Sequence, residues 1–119
     1  MQVGIDLIEI DRVRRAMERH PRFLDRVFTD AERRYCLSRA NPAQHFAARF
    51  AGKEAVGKAL GCGVEWMWRD IEIVGRPKPS VSLVGRVADF AARAGAGAID
   101  LSMTHSKGLA AAVAVVQPR

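Results

Sequence analysis

Apolar and polar positions along this chain fall into patterns that divide it into strands and helices. Val3, Ile5, Leu7, Ile8 and Ile10 surround two acids, Asp6 and Glu9, and Val3 to Ile10 suits a strand. Asp11 is placed to cap a helix through about Glu18, which His20-Pro21 ends. Arg22 to Val27 suits a short helical turn. Thr29-Asp30-Ala31-Glu32 has the form of a capping box and predicts a helix to about Ser38. Asn41-Pro42 opens a long helix with proline at its first position, and Gly61 closes it. Ile71 to Val74 and Val81 to Val84 then alternate as strands on either side of Arg76-Pro77-Lys78-Pro79, a hairpin-like pair. Val87 to Ala94 suits a short helix ending at Gly95. Ile99 to Thr104 alternates, Ala110 to Val116 is almost wholly apolar, and Ser106-Lys107-Gly108 makes the turn between them. An apolar last strand beside an alternating one predicts a central place in an antiparallel sheet. With no repeat or linker, the class is α+β and residues 1–119 are expected to form one domain.

Four polar positions, Lys53, Glu54, Asp6 and His105, disturb this pattern. In Phe50-Ala51-Gly52-Lys53-Glu54-Ala55-Val56-Gly57-Lys58-Ala59-Leu60-Gly61, a helical projection puts Lys53 between Leu60 and Phe46, inside the apolar stripe. A lysine there is costly unless paired, so a partner is expected in the core or an interface. Glu54 borders the stripe, with Lys58 one turn on; taken alone they are an ordinary i,i+4 pair worth about 0.3 kcal/mol. Asp6, inside the first strand, either faces solvent or is held by a cation, while Glu9 points to the opposite face. Two carboxylates from distant segments suit Mg²⁺, which keeps several waters and takes phosphate oxygens. His105 ends an alternating strand, as a structural hydrogen-bonding residue or as part of a site.

The formal charge of +6, from 19 basic and 13 acidic residues, favours an anionic partner. Arg12, Arg14, Arg15, Arg19, Arg22, Arg26, Arg33, Arg34 and Arg39 crowd one region, as a solvated face or as a docking surface. A nucleic-acid module would interleave basic residues with exposed aromatics, yet aromatics are only 7% and several sit at core positions. No apolar run approaches a membrane span, no signal peptide is evident, and Cys36 and Cys62 lack metal-ligand spacing, so a cytoplasmic protein with free thiols is expected. P-loop and dinucleotide-binding glycine motifs are absent.

Four blocks combine into a resemblance. Gly4-Ile5-Asp6-Leu7-Ile8-Glu9-Ile10-Asp11-Arg12-Val13, Phe28 to Glu32, Arg49 to Gly61 and Leu101-Ser102-Met103-Thr104-His105-Ser106-Lys107 together resemble the holo-[acyl-carrier-protein] synthases, small phosphopantetheinyl transferases of fatty acid synthesis. The resemblance implies a phosphopantetheinyl transferase fold with a long central helix. It implies transfer of the 4′-phosphopantetheine arm of coenzyme A to a serine of apo acyl carrier protein, with release of adenosine 3′,5′-bisphosphate. Asp6 and Glu54 match the carboxylates that hold Mg²⁺, Glu54 the candidate proton acceptor, and Lys58 the lysine near the transferred phosphate. Arg49, Gly61, Arg76, Pro77 and His105 match the surroundings of coenzyme A. Arg12, Arg19, Arg22 and Arg26 match the basic region that receives the carrier. A homotrimer with active sites between subunits is also implied. The chain departs from the common pattern in its shorter Gly4-Ile5-Asp6 start, in the exchanged hydroxyl types of Thr104 and Ser106, in Gly108-Leu109 and in the extra proline after Arg76.

Overall fold

The computed structural model describes residues 1–75 and 78–119. Strand β1 (Gln2–Glu9) leads into three short helices, α1 (Ile10–Arg19), α2 (Phe23–Val27) and α3 (Asp30–Leu37). The long α4 (Pro42–Leu60) follows, then β2 (Ile71–Val74), β3 (Ser80–Leu83), α5 (Gly85–Arg93), β4 (Ala96–Ser106) and β5 (Leu109–Pro118). The apolar β5 lies between β1 and β4 and runs antiparallel to both, while β2 and β3 pair as a separate two-stranded sheet.

Local chemistry accounts for the element ends. Thr29 accepts from the Glu32 N–H and Glu32 accepts from the Thr29 N–H, a complete capping box on α3. Pro42 occupies the first turn of α4, and Gly61 ends it in the left-handed region at φ +78°. The β4–β5 turn places Lys107 and Gly108 at φ +52° and +81°, the sense of twist that a two-residue hairpin needs. One boundary differs from expectation. Helix α1 starts at Ile10, and Asp11 lies within its first turn, bonded to Arg14 rather than capping. The Ile10 N–H, at the first position of the helix, donates to the Gly108 carbonyl at 2.8 Å, so the β4–β5 turn satisfies one of the four donors that a helix start leaves open.

Helix α4 is the centre of the molecule. Ala51, Ala55, Val56 and Ala59 pack with Ile71, Ile73, Val87, Leu101 and Ala114 on one side; Ala43, Phe46 and Ala47 pack with Val13, Val27 and Phe28 on the other. Its small residues let β1 come very close. A Cβ on Gly4 would lie 2.0 Å from the Ala55 carbonyl oxygen and 2.6 Å from the Ala59 nitrogen. That contact turns Gly4, Asp6 and Ile8 toward α4 and leaves Val3, Ile5 and Leu7 outward, 60%, 63% and 64% exposed. Cross-strand partners Val115, Val113 and Ala111 of β5 extend this outward face, which is apolar where a solvated face would be polar.

Candidate active site

The site is built on α4. Lys53 is wholly buried, and its ammonium donates to Glu32 Oε1 and the Ile71 carbonyl at 2.7 Å and to the Val27 and Trp68 carbonyls at 2.9 Å. The expected partner is therefore Glu32, from α3. Its Oε1 also accepts from the Thr29 N–H at 2.8 Å and its Oε2 from the Ile73 N–H at 2.7 Å. Burial pushes the Lys53 pKa down, opposed by the Glu32 carboxylate. These four partners are all acceptors, which favours the ammonium form. Capping-box chemistry marked Glu32 in the sequence, but its role as counter-ion depends on contacts about 20 to 40 residues away and carried no local signal.

The next residue, Glu54, is half-buried, and its Oε1 accepts from the Trp68 indole N–H at 3.0 Å. Lys58 donates to Asp6 Oδ1 at 3.1 Å and to the Ile5 carbonyl at 3.0 Å. This corrects the simple Glu54–Lys58 ion pair: among the described residues Lys58 bridges to Asp6 and Glu54 to Trp68. The reason is the approach of β1, which brings a second carboxylate within reach of Lys58. Asp6 accordingly lies on the α4 side of the strand, against a cation, rather than on the outward face.

Asp6 and Lys58 thus meet across the β1–α4 seam, and Glu54 lies one turn before Lys58 on α4, about 6 Å along the axis. Among the described residues no three His, Cys, Asp or Glu side chains cluster as a self-sufficient metal cage. Two hard carboxylates beside a cation position suit a divalent ion that completes its shell with water and phosphate oxygens, as Mg²⁺ does. The donor set fits that ion.

A second group lies on another flank of α4. From Arg49 to Glu54 and Lys58 the helix turns by about 140° and 180°. Arg49 is buried, with its guanidinium 4.3 Å from the Tyr35 ring centroid, and its Nε has no hydrogen-bond partner among the described residues. It lines a cleft of about 520 Å³ with Tyr35, Lys78, Ser102, Thr104 and His105. The His105 Nε2 lies 3.0 Å from Gln44 Nε2. Lys78 reaches Asp100 at 2.9 Å, tying the segment after β2 to β4. A buried guanidinium with a spare donor beside Lys78 and His105 makes this cleft suited to phosphate groups. Arg76 and Pro77 lie outside the described residues; Gly75 and Lys78, which flank them, line the cleft. Gly61 does not join it, because it caps the opposite end of α4, about 18 Å along the axis from Arg49.

Arg12, Arg19, Arg22 and Arg26 are all exposed on the α1–α2 region. Arg22 and Arg26 border an aromatic cleft of about 570 Å³ with His20, Phe23, Trp66 and Trp68. Trp66 is 84% exposed, with φ at +70°. Sequence reading missed both tryptophans, although they are the chain's only two and stand two residues apart. Among the described residues no helix is long and apolar enough to cross a membrane.

Comparison with known proteins agrees with this architecture. Residues 2–114 match the 4′-phosphopantetheinyl transferase superfamily. The chain is 50% identical to holo-[acyl-carrier-protein] synthase of Moorella thermoacetica over 98% of its own length and 94% of the relative's. It is 49% identical to the Chlamydia felis protein of the same name, over 95% of this chain and 93% of that one. Its fold superposes with a TM-score of 0.82 on the Helicobacter pylori holo-[acyl-carrier-protein] synthase in complex with coenzyme A, at 30% identity over 97% of this chain and 99% of that one. The chain belongs to the 4′-phosphopantetheinyl transferase superfamily.

Proposed function

We propose that this protein is a Mg²⁺-dependent holo-[acyl-carrier-protein] synthase of fatty acid biosynthesis, a single cytoplasmic domain acting as a homotrimer. It transfers 4′-phosphopantetheine from coenzyme A to a serine hydroxyl of apo acyl carrier protein. The observation that carries the reading is the Asp6–Lys58 contact across the β1–α4 seam, one helical turn from Glu54, in a member of this superfamily.

Asp6 and Glu54 would hold the metal, which supplies neutralisation of charge on the coenzyme A pyrophosphate. Glu54, directly or through a water, accepts the serine proton as the serine oxygen bonds to the pantetheine-bearing phosphorus. The bond from that phosphorus to the bridging oxygen breaks, and adenosine 3′,5′-bisphosphate leaves with the electron pair. Lys58, already directed at Asp6, stabilises charge on the phosphate being released. Arg49 and His105, with the Arg76-Pro77 segment, take the coenzyme A nucleotide, and Gly61, three residues past Lys58 at the end of α4, contacts coenzyme A from the metal half. Arg12, Arg19, Arg22 and Arg26 steer and orient the acidic carrier, and the adjoining Phe23–Trp66 cleft supplies apolar area.

Two features support assembly. The outward face of β1 and β5 is apolar, and the metal half and nucleotide half of the site flank α4 on different sides. A head-to-tail contact between copies would bury the first and join the second, and such contacts form a ring where the rotation between copies closes.

The test is incubation with coenzyme A, Mg²⁺ and apo acyl carrier protein, followed by mass measurement of the carrier. A phosphopantetheine increment is expected with the wild type and none with Glu54→Gln. A carrier left unmodified by folded wild-type protein would refute the reading.

A further inference from the structure

Two consecutive residues of α4 hold the two ends of Trp68. The Lys53 ammonium takes its backbone carbonyl at 2.9 Å, and the Glu54 carboxylate takes its indole N–H at 3.0 Å. The ring packs against Phe50, with centroids 6.1 Å apart, and Phe50 against Phe23 at 6.4 Å. We propose that Trp68 is a positioning residue for the reaction: its indole N–H sets the orientation of the Glu54 carboxylate, and Lys53 sets Trp68. This inference rests on the proposed role of Glu54.

Glu54 sits on a half-exposed flank of its helix, where a carboxylate on a three-bond stem is free to sample several rotamers. A donor at Oε1 removes most of that freedom and leaves Oε2 and the remaining lone pairs for other partners. Partners of this kind, donors to a ligating carboxylate, commonly change metal affinity or activity when removed. A half-buried indole N–H needs some acceptor, and any carbonyl would serve. Here the acceptor is the candidate ligand itself. The residue offering the N–H belongs to a single short turn, Trp68–Asp70, which has little regular structure to hold it. The buried Lys53–Glu32 pair provides that support, because one ammonium binds carbonyls at Val27, Trp68 and Ile71 together. The Lys-Glu pair at 53–54 thus works as a unit, the lysine fixing the residue that orients its neighbour.

Trp68→Phe keeps the ring packing and removes the N–H. With coenzyme A and carrier at saturating concentrations, we expect transfer to fall about 10- to 100-fold and the Mg²⁺ concentration at half-maximal rate to rise. A readout independent of turnover uses the Trp66→Phe protein, whose only tryptophan is Trp68. Mg²⁺ added in the presence of coenzyme A should change its emission, and Glu54→Gln in the same background should abolish that change. A folded Trp68→Phe protein with unaltered rate and Mg²⁺ dependence, beside an inactive Glu54→Gln, overturns this inference alone. Emission indifferent to Mg²⁺ overturns it even if Trp68→Phe fails to fold. Full transfer by Glu54→Gln would overturn the site assignment and this inference with it.

Discussion

Cys36 shows how strongly position governs chemistry at the residue scale. It is fully buried on α3, and burial pushes its thiol up to about 11 from 9.0, with Arg49 and Lys53 opposing the rise and Glu32 adding to it. A reactive thiolate is therefore not available near neutral pH. Because the folded pKa lies above the unfolded one, the native state keeps its proton longer. The associated stability is complete below pH 9 and declines as pH rises toward about 11, by at most about 3 kcal/mol. Urea midpoints for wild type and Cys36→Ala, compared at pH 8 and 10.5, should show the steeper alkaline loss in the wild type. Parallel losses in both proteins would contradict this account. Lys53 makes the complementary case. Its place in an apolar stripe was legible from helical period, but its acceptors come from α2, α3, the Trp68 turn and the start of β2, so no local pattern could name them.

For whole elements, the sequence is most readable where geometry is set by neighbours in the chain. The α3 capping box, the Pro42 start and Gly61 end of α4, and the Lys107-Gly108 turn all form as their residue types require. Strand β1 was legible as a strand, yet alternation alone does not say which of its two faces turns inward. Gly4 decides it. Its backbone touches that of α4, and no side chain there can move aside to admit a Cβ. Gly4→Ala should lift β1 from α4, destabilising the protein by about 1–3 kcal/mol or more and displacing Asp6 from Lys58. Chemical denaturation checks the first effect; an unchanged midpoint would show that the seam is looser than described. Asp11 illustrates the reverse case: a capping residue by type, it lies inside the first turn because the helix begins one residue earlier, where the Ile10 N–H donates to the distant Gly108 carbonyl.

At the level of the whole molecule, the two halves of the proposed site explain why one chain would need another. Asp6, Glu54 and Lys58 lie on the β1 side of α4, whereas Arg49 and His105 line the cleft by β4, and β5 separates β1 from β4. If neighbouring copies supply complementary halves, Asp6→Asn and His105→Ala proteins should each be impaired alone. Co-expressed in equal amounts, they should recover about a quarter of wild-type transfer, since one interface in four would pair two intact halves in a closed ring. Transfer by the mixture no higher than that of the separate variants would argue for sites contained within one chain.

By itself, the sequence determined the α+β class, the order of elements, the central place of β5 and the acidic and basic residues from which the site is drawn. These follow from periodicities of two and 3.6 residues and from turn and cap chemistry that acts over a few residues. Only the tertiary structure decided that Lys58 turns to Asp6, that Glu54 turns to Trp68, that Glu32 neutralises Lys53 and that the apolar face of β1 points outward. Each of those depends on which segments come within a few ångströms of α4, and that is set by close packing of distant residues.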